Sequence, residues 1–83
     1  MQIEFSKHAK HQILERELDT RKIEETLSKP GQIIESLKER KIAQRIYKRE
    51  GQSQLLRVIF VDENSGIKVI SAYWTSKINK YWR

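Results

Sequence analysis

The stretch from Leu55 to Trp74, LLRVIFVDENSGIKVISAYW, decides the fold class of this 83-residue chain. Two nearly continuous runs of β-branched and aromatic residues, LLRVIFV (55–61) and IKVISAYW (67–74), flank the polar segment DENSG (62–66). Such runs are typical of central strands that are buried on both faces, and a short polar segment with a glycine is typical of a turn. The stretch therefore predicts two neighbouring antiparallel strands at the centre of a sheet.

Two short helices are expected before this stretch. Ser6 is a residue type preferred at helix N-caps, and it precedes KHAKHQILERE (7–17), a run of good helix formers. Asp19 fits the same role before a second helix over 20–28. That helix should end before Pro30, which cannot continue it.

Three further segments predict strands, namely IEF (3–5), QIIESL (32–37) and the alternating IAQRIYKR (42–49). Helices that lie on one side of an antiparallel sheet define the α+β class. We expect an α+β domain with two N-terminal helices packed on a four- to five-stranded antiparallel sheet, whose other face is open. At 83 residues, the chain should form one domain over 1–83.

The composition excludes several classes of protein. The chain has no cysteine, which excludes a disulfide framework and thiolate-ligated zinc. No apolar run approaches the roughly 20 residues that span a bilayer, so no membrane partner is expected. The first ten residues, MQIEFSKHAK, lack a signal-peptide core. The expected location is the cytoplasm.

Positive charge is concentrated in the C-terminal half. Seventeen basic residues against eleven acidic ones give a net charge of +6, and no acid follows Glu63. The tail SAYWTSKINKYWR (71–83) places two tryptophans and two tyrosines among these bases. Stacking on a base is worth roughly 1–3 kcal/mol, and phosphate contacts add a salt-dependent attraction. Because the bases of single-stranded RNA are free to stack, RNA is the expected partner.

Hydroxyl groups alternate along the last predicted strand. Tyr73 and Thr75 lie on one side of that strand, opposite Trp74, and Lys77 and Lys80 follow closely. Hydroxyls and lysines together can bind a phosphate. In the structural alternative, the aromatic rings fold back onto the sheet and the lysines face water. We expect a mixture, with Trp74 structural and the hydroxyls and lysines at a site.

Arg57 interrupts an otherwise apolar strand, and burying an arginine without a partner is costly. Its head either reaches a carboxylate or the sheet edge, or points into a cleft that binds an anion. Arg45, on the preceding strand, meets Arg57 on the open face only in one strand register, which the sequence does not fix. In the other register Arg45 is a solvated strand charge.

The first predicted helix carries His8, Gln12 and Arg16 at positions i, i+4 and i+8, so they form one line along it. This line either presents an imidazole and a guanidinium to a phosphodiester or is a polar border. His8, His11 and Glu15 also have a spacing at which side chains can share a metal ion. They match no recognised metal motif, and we expect neither a metal nor a cofactor.

Most enzyme classes lack their signatures here, since the chain has no Walker loop, GxSxG elbow, HExxH helix or paired carboxylates. Metal-free RNA cleavage needs none of them, because the ribose 2′-OH is the nucleophile. The protein must align that group, stabilise the phosphorane charge and assist proton transfer. Arginine, lysine, tyrosine and histidine suffice for these tasks.

The order of these parts resembles a small, widespread domain family of unknown function that is grouped with RelE- and ParE-like toxins. The resemblance covers nearly the whole chain and rests on short features: His-Ala at 8–9, Glu-Arg at 15–16, Pro30, Arg-Val at 57–58 and the tail from 73 to 77.

This resemblance implies the fold shared by barnase-, EndoU-, colicin- and RelE-like nucleases. His8 and Arg16 match the family's helix pattern, and Arg57 and Tyr73 match its strands. Glu17 stands where the family pattern has glycine, so a different turn between the helices is expected.

The leading hypothesis is a RelE-like, metal-independent endoribonuclease toxin with RNA, free or ribosome-bound, as substrate and an antitoxin protein as partner. His8, Arg45, Arg57 and Tyr73 are the catalytic candidates. The candidates for RNA binding are Arg16, Thr75, Lys77 and Lys80. The alternatives are a non-catalytic module that binds nucleic acid or a protein partner, and a ParE-like topoisomerase inhibitor.

Overall fold

The computed structural model describes residues 2–83 and contains a five-stranded sheet with three helices. In chain order the elements are β1 (Gln2–Phe5), α1 (Lys7–Glu15), α2 (Thr20–Ser28), β2 (Gln32–Glu35), β3 (Lys41–Arg49), β4 (Gln52–Glu63), β5 (Gly66–Thr75) and α3 (Ile78–Tyr81).

The strands follow the spatial order β1-β5-β4-β3-β2, with the two apolar runs of the opening stretch in β4 and β5. The predicted α+β class with a five-stranded sheet is confirmed. The strand predicted at 3–5 is present as β1. Two details of the prediction are wrong: β1 pairs parallel with β5, so the sheet is mixed, and a third helix follows β5, so the helices are not all N-terminal. The parallel pairing has no signature in a run of three residues, because the sequence of a short strand does not report its direction.

The strands are longer than their apolar runs. β3 and β4 are separated only by Glu50 and Gly51, whose φ angles of 52° and 80° match a two-residue hairpin turn of type I′. The polar residues at 52–54, which precede the apolar run of β4, pair with the end of β3. Backbone pairing thus continues past the point at which hydrophobicity ends.

Both predicted N-caps are present. Ser6 accepts a hydrogen bond from the backbone of Ala9, and Asp19 accepts one from the backbone of Arg21. Between the helices, Leu18 N donates to Ile13 O at 3.0 Å and Glu17 N to Leu14 O at 3.4 Å. These two bonds form a Schellman motif.

The left-handed position of this Schellman motif is Glu17, with φ of 51°. A glycine adopts that conformation without strain, whereas a residue with a Cβ pays about 1 kcal/mol or more. The turn geometry is therefore one that favours glycine, and in this chain glutamate occupies the position.

The sheet has two different faces. The covered face carries Ala43, Leu56, Val58 and Ala72, which form one buried core with Ala9, Ile23 and other helix residues. α1 packs mainly against β5, and α2 packs against β3 and β4. The open face, on the side away from α1 and α2, carries the cross-strand row of Gln44, Arg57 and Tyr73.

Candidate functional site

Arg57 lies at the middle of the open face, where strand register aligns it with Gln44 on β3 and Tyr73 on β5. Its Nε donates to Gln44 Oε1 at 3.1 Å, and its Nη1 donates to the Tyr73 hydroxyl oxygen at 2.5 Å. Only 7% of Arg57 is exposed, and Gln44 is fully buried. The guanidinium is therefore fixed by neutral partners, and no carboxylate is among these partners.

The C-terminal residues fold back over this row. The Tyr81 ring centroid lies 3.9 Å from the Arg57 guanidinium carbon, and the Tyr81 carbonyl accepts from Gln44 Nε2 at 3.1 Å. Trp82 lies so close to Gly31 that a β-carbon there would be 2.7 Å from its ring. The aromatic rings after residue 80 are thus structural, as in the alternative weighed for the tail.

Residues 70–75 of β5 have no strand beside them on the outer edge of the sheet, because β1 pairs only with Gly66–Val69. Side chains of α1 take the place of the missing strand. Gln12 Oε1 accepts from the backbone N–H of Ala72 at 3.1 Å and from the Ser71 hydroxyl at 2.8 Å. Arg16 Nη1 donates to the Ala72 carbonyl at 3.3 Å.

A cleft of about 520 Å³ opens at this edge, and we call it the edge cleft. Its lining residues are Gln12, Arg16, Leu18, Arg49, Ser71, Tyr73 and Trp74. Two of the seven are arginines, and none is acidic. By contrast, a hollow of about 680 Å³ at the β2–β3 turn is lined by three bases and four acids. The edge cleft is therefore the hollow whose charge suits a polyanion.

Arg49 is held at the edge cleft by an aromatic ring and an amide. Its guanidinium carbon lies 4.2 Å from the ring centroid of Trp74, and its Nη1 donates to Gln54 Oε1 at 3.1 Å. Stacking of this kind leaves the edges of the guanidinium available as donors. In the sequence, Arg49 is one of many bases, and its spacing along the strand does not assign it to a site.

Tyr73 joins the buried row to the edge cleft, since it lines the cleft and contacts Arg57. Its oxygen accepts the hydrogen bond from Arg57, so the phenol hydrogen itself must point elsewhere. A phenol whose oxygen already accepts a hydrogen bond still has its own hydrogen to donate. Half-buried Tyr73 thus has the geometry of a proton donor.

Arg45 does not join Arg57. The register pairs Arg45 with Leu56, whose side chain belongs to the core, so the two guanidiniums lie on opposite faces of the sheet. Arg45 Nη1 donates to the Lys29 carbonyl at 2.6 Å, and its Nε lies 3.8 Å from a Glu25 carboxylate oxygen. The expectation of two converging guanidiniums is wrong because the hairpin turn sets the other register.

The remaining predicted residues are spread around the site. His8 is exposed on α1, one turn before Gln12, and is not among the residues that line the edge cleft. Thr75 accepts a hydrogen bond from the backbone of Lys77 at 3.1 Å, which uses its hydroxyl in the turn after β5. Lys77, at the N-cap of α3, and Lys80, within α3, are exposed. Of the catalytic candidates, only Arg57 and Tyr73 are in contact.

The metal alternative on α1 does not form a ligand group. His11 Nε2 and Glu15 Oε2 lie 2.8 Å apart and pair with each other. Within residues 2–83, no group of three or more His, Cys, Asp or Glu side chains is placed to hold a metal ion. No helix in the same residues has the length and hydrophobicity needed to cross a membrane.

One comparison with known proteins gives a match. The family model described as "Domain of unknown function (DUF4258)" matches residues 5–74, and the chain belongs to this family. The matched range includes the buried row and all the residues of the edge cleft, and it ends before α3. Neither the curated proteins nor the solved structures include a match to this chain.

Proposed function

We propose that this member of the DUF4258 family is a RelE-like toxin that binds single-stranded RNA along the edge cleft and cleaves it without a metal ion. The observation that carries the proposal is the Tyr73 hydroxyl, held by a buried guanidinium at the border of a cationic cleft without acids. The assignment to RelE-like toxins rests on the resemblance of the sequence. An antitoxin protein is proposed as the partner.

The proposed reaction is a transesterification within the RNA. The ribose 2′-oxygen attacks the adjacent phosphorus and loses its proton to water, while the bond from phosphorus to the 5′-oxygen breaks. Tyr73 gives its proton to the departing 5′-oxygen and is later reprotonated from water. The products are a 2′,3′-cyclic phosphate and a 5′-hydroxyl. A positioned proton donor of this kind contributes typically about 10²- to 10⁴-fold.

Three arginines have separate roles in this scheme. Arg57 donates a hydrogen bond to the Tyr73 oxygen and thereby positions the phenol. Arg16 and Arg49 hold a phosphate group of the RNA strand in the edge cleft, and a neighbouring phosphodiester then reaches Tyr73. This assignment replaces Arg45, which is on the covered face, and His8, which does not line the cleft.

The test is cleavage of RNA by the purified protein in EDTA, with free RNA and with ribosomes. Tyr73→Phe removes the proton donor and keeps the ring, so cleavage should fall by about 100-fold or more. Tyr47→Phe is the matched control, because it removes the same hydroxyl from a phenol that is bonded to Glu25 instead. It should cleave at the wild-type rate.

Two results would contradict the proposal: no cleavage by the wild type under any of these conditions, or equal cleavage by the Tyr73→Phe and Tyr47→Phe proteins. The first result would favour RNA binding without cleavage. One observation points to that second function, since the Arg57 guanidinium is already covered by the Tyr81 ring. Binding then requires only the arginines of the edge cleft.

A further inference from the structure

The two arginines of the edge cleft keep their full charge. Arg16 is bonded to a backbone carbonyl and Arg49 to an amide oxygen and an indole ring, all of which are neutral. Among residues 2–83, the ion pairs join His11 to Glu15, Lys41 to Asp62 and Arg45 to Glu25. Neither arginine of the cleft takes part in these pairs, so two positive charges face one hollow.

Each guanidinium also makes a contact with the protein before any ligand binds. Each has five N–H donors, of which Arg16 and Arg49 each use one in a hydrogen bond to the protein. The stacking of Arg49 on Trp74 restricts its orientation further. Such contacts lower the entropy lost on binding, and the unused donors remain for an anion.

The positive charge of the edge cleft favours a phosphomonoester over a phosphodiester. A phosphodiester within a strand carries one negative charge, whereas a phosphomonoester carries about −1.5 to −2 at neutral pH and has three acceptor oxygens. Two guanidiniums with unused donors complement the second better than the first. The hydroxyls of Ser71 and Tyr73 lie in the same lining and add polar groups beside the arginines.

We propose that the edge cleft binds the terminal phosphomonoester of an RNA strand. The inference rests on the proposed function only in taking RNA as the source of the phosphate. A 5′-phosphate and a 3′-phosphate share this chemistry. Because Tyr73 borders the cleft, a strand held by its terminal phosphate is cleaved near that end.

The test measures binding separately from cleavage. Three decamers of one sequence, ending in a 5′-phosphate, a 3′-phosphate or only hydroxyls, are made with 2′-O-methyl ribose, which blocks the nucleophile. Affinities come from fluorescence anisotropy. One of the phosphate-bearing decamers should bind at least about tenfold more tightly than the hydroxyl-ended one. The decamer that does so identifies the end, and inorganic phosphate should compete with it.

Variants connect the preference to the cleft. In Arg16→Gln and in Arg49→Gln the preference should fall to about twofold or less, because each removes one charge. Arg40→Gln is the matched control: Arg40 precedes β3 and Arg49 ends it, so they lie about 30 Å apart. It should keep the full preference. Arg16→Lys, which retains the charge, should keep most of it, and circular dichroism checks the fold of each variant.

Equal binding of all three decamers would overturn the proposal, and so would a preference that survives both glutamine variants. If inorganic phosphate binds but the three decamers bind equally well, the cleft is a site for the free ion, and the proposal is also overturned. Cleavage is followed in parallel on unmodified RNA. A preference without cleavage would remove the proposed function and leave this inference, and cleavage without a preference would do the opposite.

Discussion

Two arginine–tyrosine pairs lie on opposite faces of the same sheet and differ in what surrounds them. On the covered face, the Arg45 guanidinium carbon lies 5.4 Å from the Tyr47 ring centroid, and the Tyr47 hydroxyl donates to Glu25 at 2.6 Å. On the open face, Arg57 donates to the Tyr73 hydroxyl. The phenol is therefore a donor in one pair and an acceptor in the other.

The difference lies in a carboxylate. Glu25 contacts both Arg45 and Tyr47. It offsets the positive charge of Arg45 and accepts the hydrogen bond that the Tyr47 hydroxyl donates. Arg57 has an amide and a ring in that position. The same two residue types therefore form a structural contact where a carboxylate is present. Without the carboxylate, the positive charge of the arginine is not offset, and the hydroxyl hydrogen of the tyrosine is not bonded to an acid.

The largest expected effect is a difference in stability between variants of the two arginine–tyrosine pairs. Arg57→Leu leaves the buried Gln44 oxygen without its donor and removes the cation under the Tyr81 ring. We expect a loss of about 3 kcal/mol in the free energy of unfolding. Arg45→Leu breaks a partly exposed contact and should cost about 1 kcal/mol or less. Urea unfolding of the two variants gives both values.

Equal losses of stability in Arg57→Leu and Arg45→Leu would contradict the contrast between the two pairs. The double variant Gln44→Leu, Arg57→Leu tests the cause, since it removes the unpaired amide together with the guanidinium. Its loss should be smaller than the sum of the two single losses, because directly bonded residues are not additive. A strictly additive result would show that the hydrogen bond at 3.1 Å contributes nothing.

A smaller effect is expected where the C-terminal residues cover the open face. In Gly31→Ala the new β-carbon would lie 2.7 Å from the tip of the Trp82 ring, so the ring must move. Stability should change by only about 1 kcal/mol, because alanine also restricts the unfolded chain. Trypsin cleavage after Lys77 and Lys80 should become several-fold faster, since loosened segments are cut more readily.

A matched cycle checks the contact behind this prediction. Trp82→Ala removes the nearest contact of the new β-carbon and leaves the Gln44 carbonyl oxygen at 3.2 Å, so adding Gly31→Ala to it should increase the cleavage rate much less than in the wild type. If Gly31→Ala accelerates cleavage equally in both backgrounds, the Trp82 ring is not what the alanine displaces.

Much of the fold could be predicted from local signals. The N-caps at Ser6 and Asp19 and the span of α2 follow from residue types at fixed spacings, and they agree with the structure. The parallel pairing of β1 with β5 could not be predicted in this way, because it depends on a contact between the two ends of the chain. Side-chain patterns report which face is buried and not which strand is adjacent.

The candidate site was predictable only in part, and strand register is the reason. Arg57 was identified because it interrupts an apolar strand, and Tyr73 because it belongs to a series of hydroxyls. Their alignment depends on a shift in the β4–β5 register between Ile59 and Phe60, without which Arg57 would lie opposite Ala72. Arg49 has the spacing of an ordinary strand charge. Only its position over Trp74, which is 25 residues away in sequence, assigns it to the edge cleft.

The smallest expected effect is a pH dependence that separates the two phenols. Burial and the hydrogen bond to Glu25 raise the pKa of Tyr47 above its ordinary value of 10.0. The unfolded chain therefore loses this proton at a lower pH than the folded chain. The contribution to stability is complete below pH 10 and is lost as the pH rises through the folded pKa. Tyr47→Phe should consequently lose less stability than the wild type between about pH 9.5 and 11.5.

The measurement is the difference in urea midpoint between the wild type and Tyr47→Phe, recorded from pH 7 to pH 11.5. Lys41, whose pKa is raised by its hydrogen bond to Asp62, titrates in both proteins, so its effect cancels in the difference. The difference should be constant up to about pH 9.5 and then shrink, by less than about 1 kcal/mol. A difference that stays constant to pH 11.5 would mean that neither burial nor Glu25 holds the Tyr47 proton. The contrast between the two arginine–tyrosine pairs would then lose its basis, because the carboxylate that distinguishes them would have no effect on the phenol.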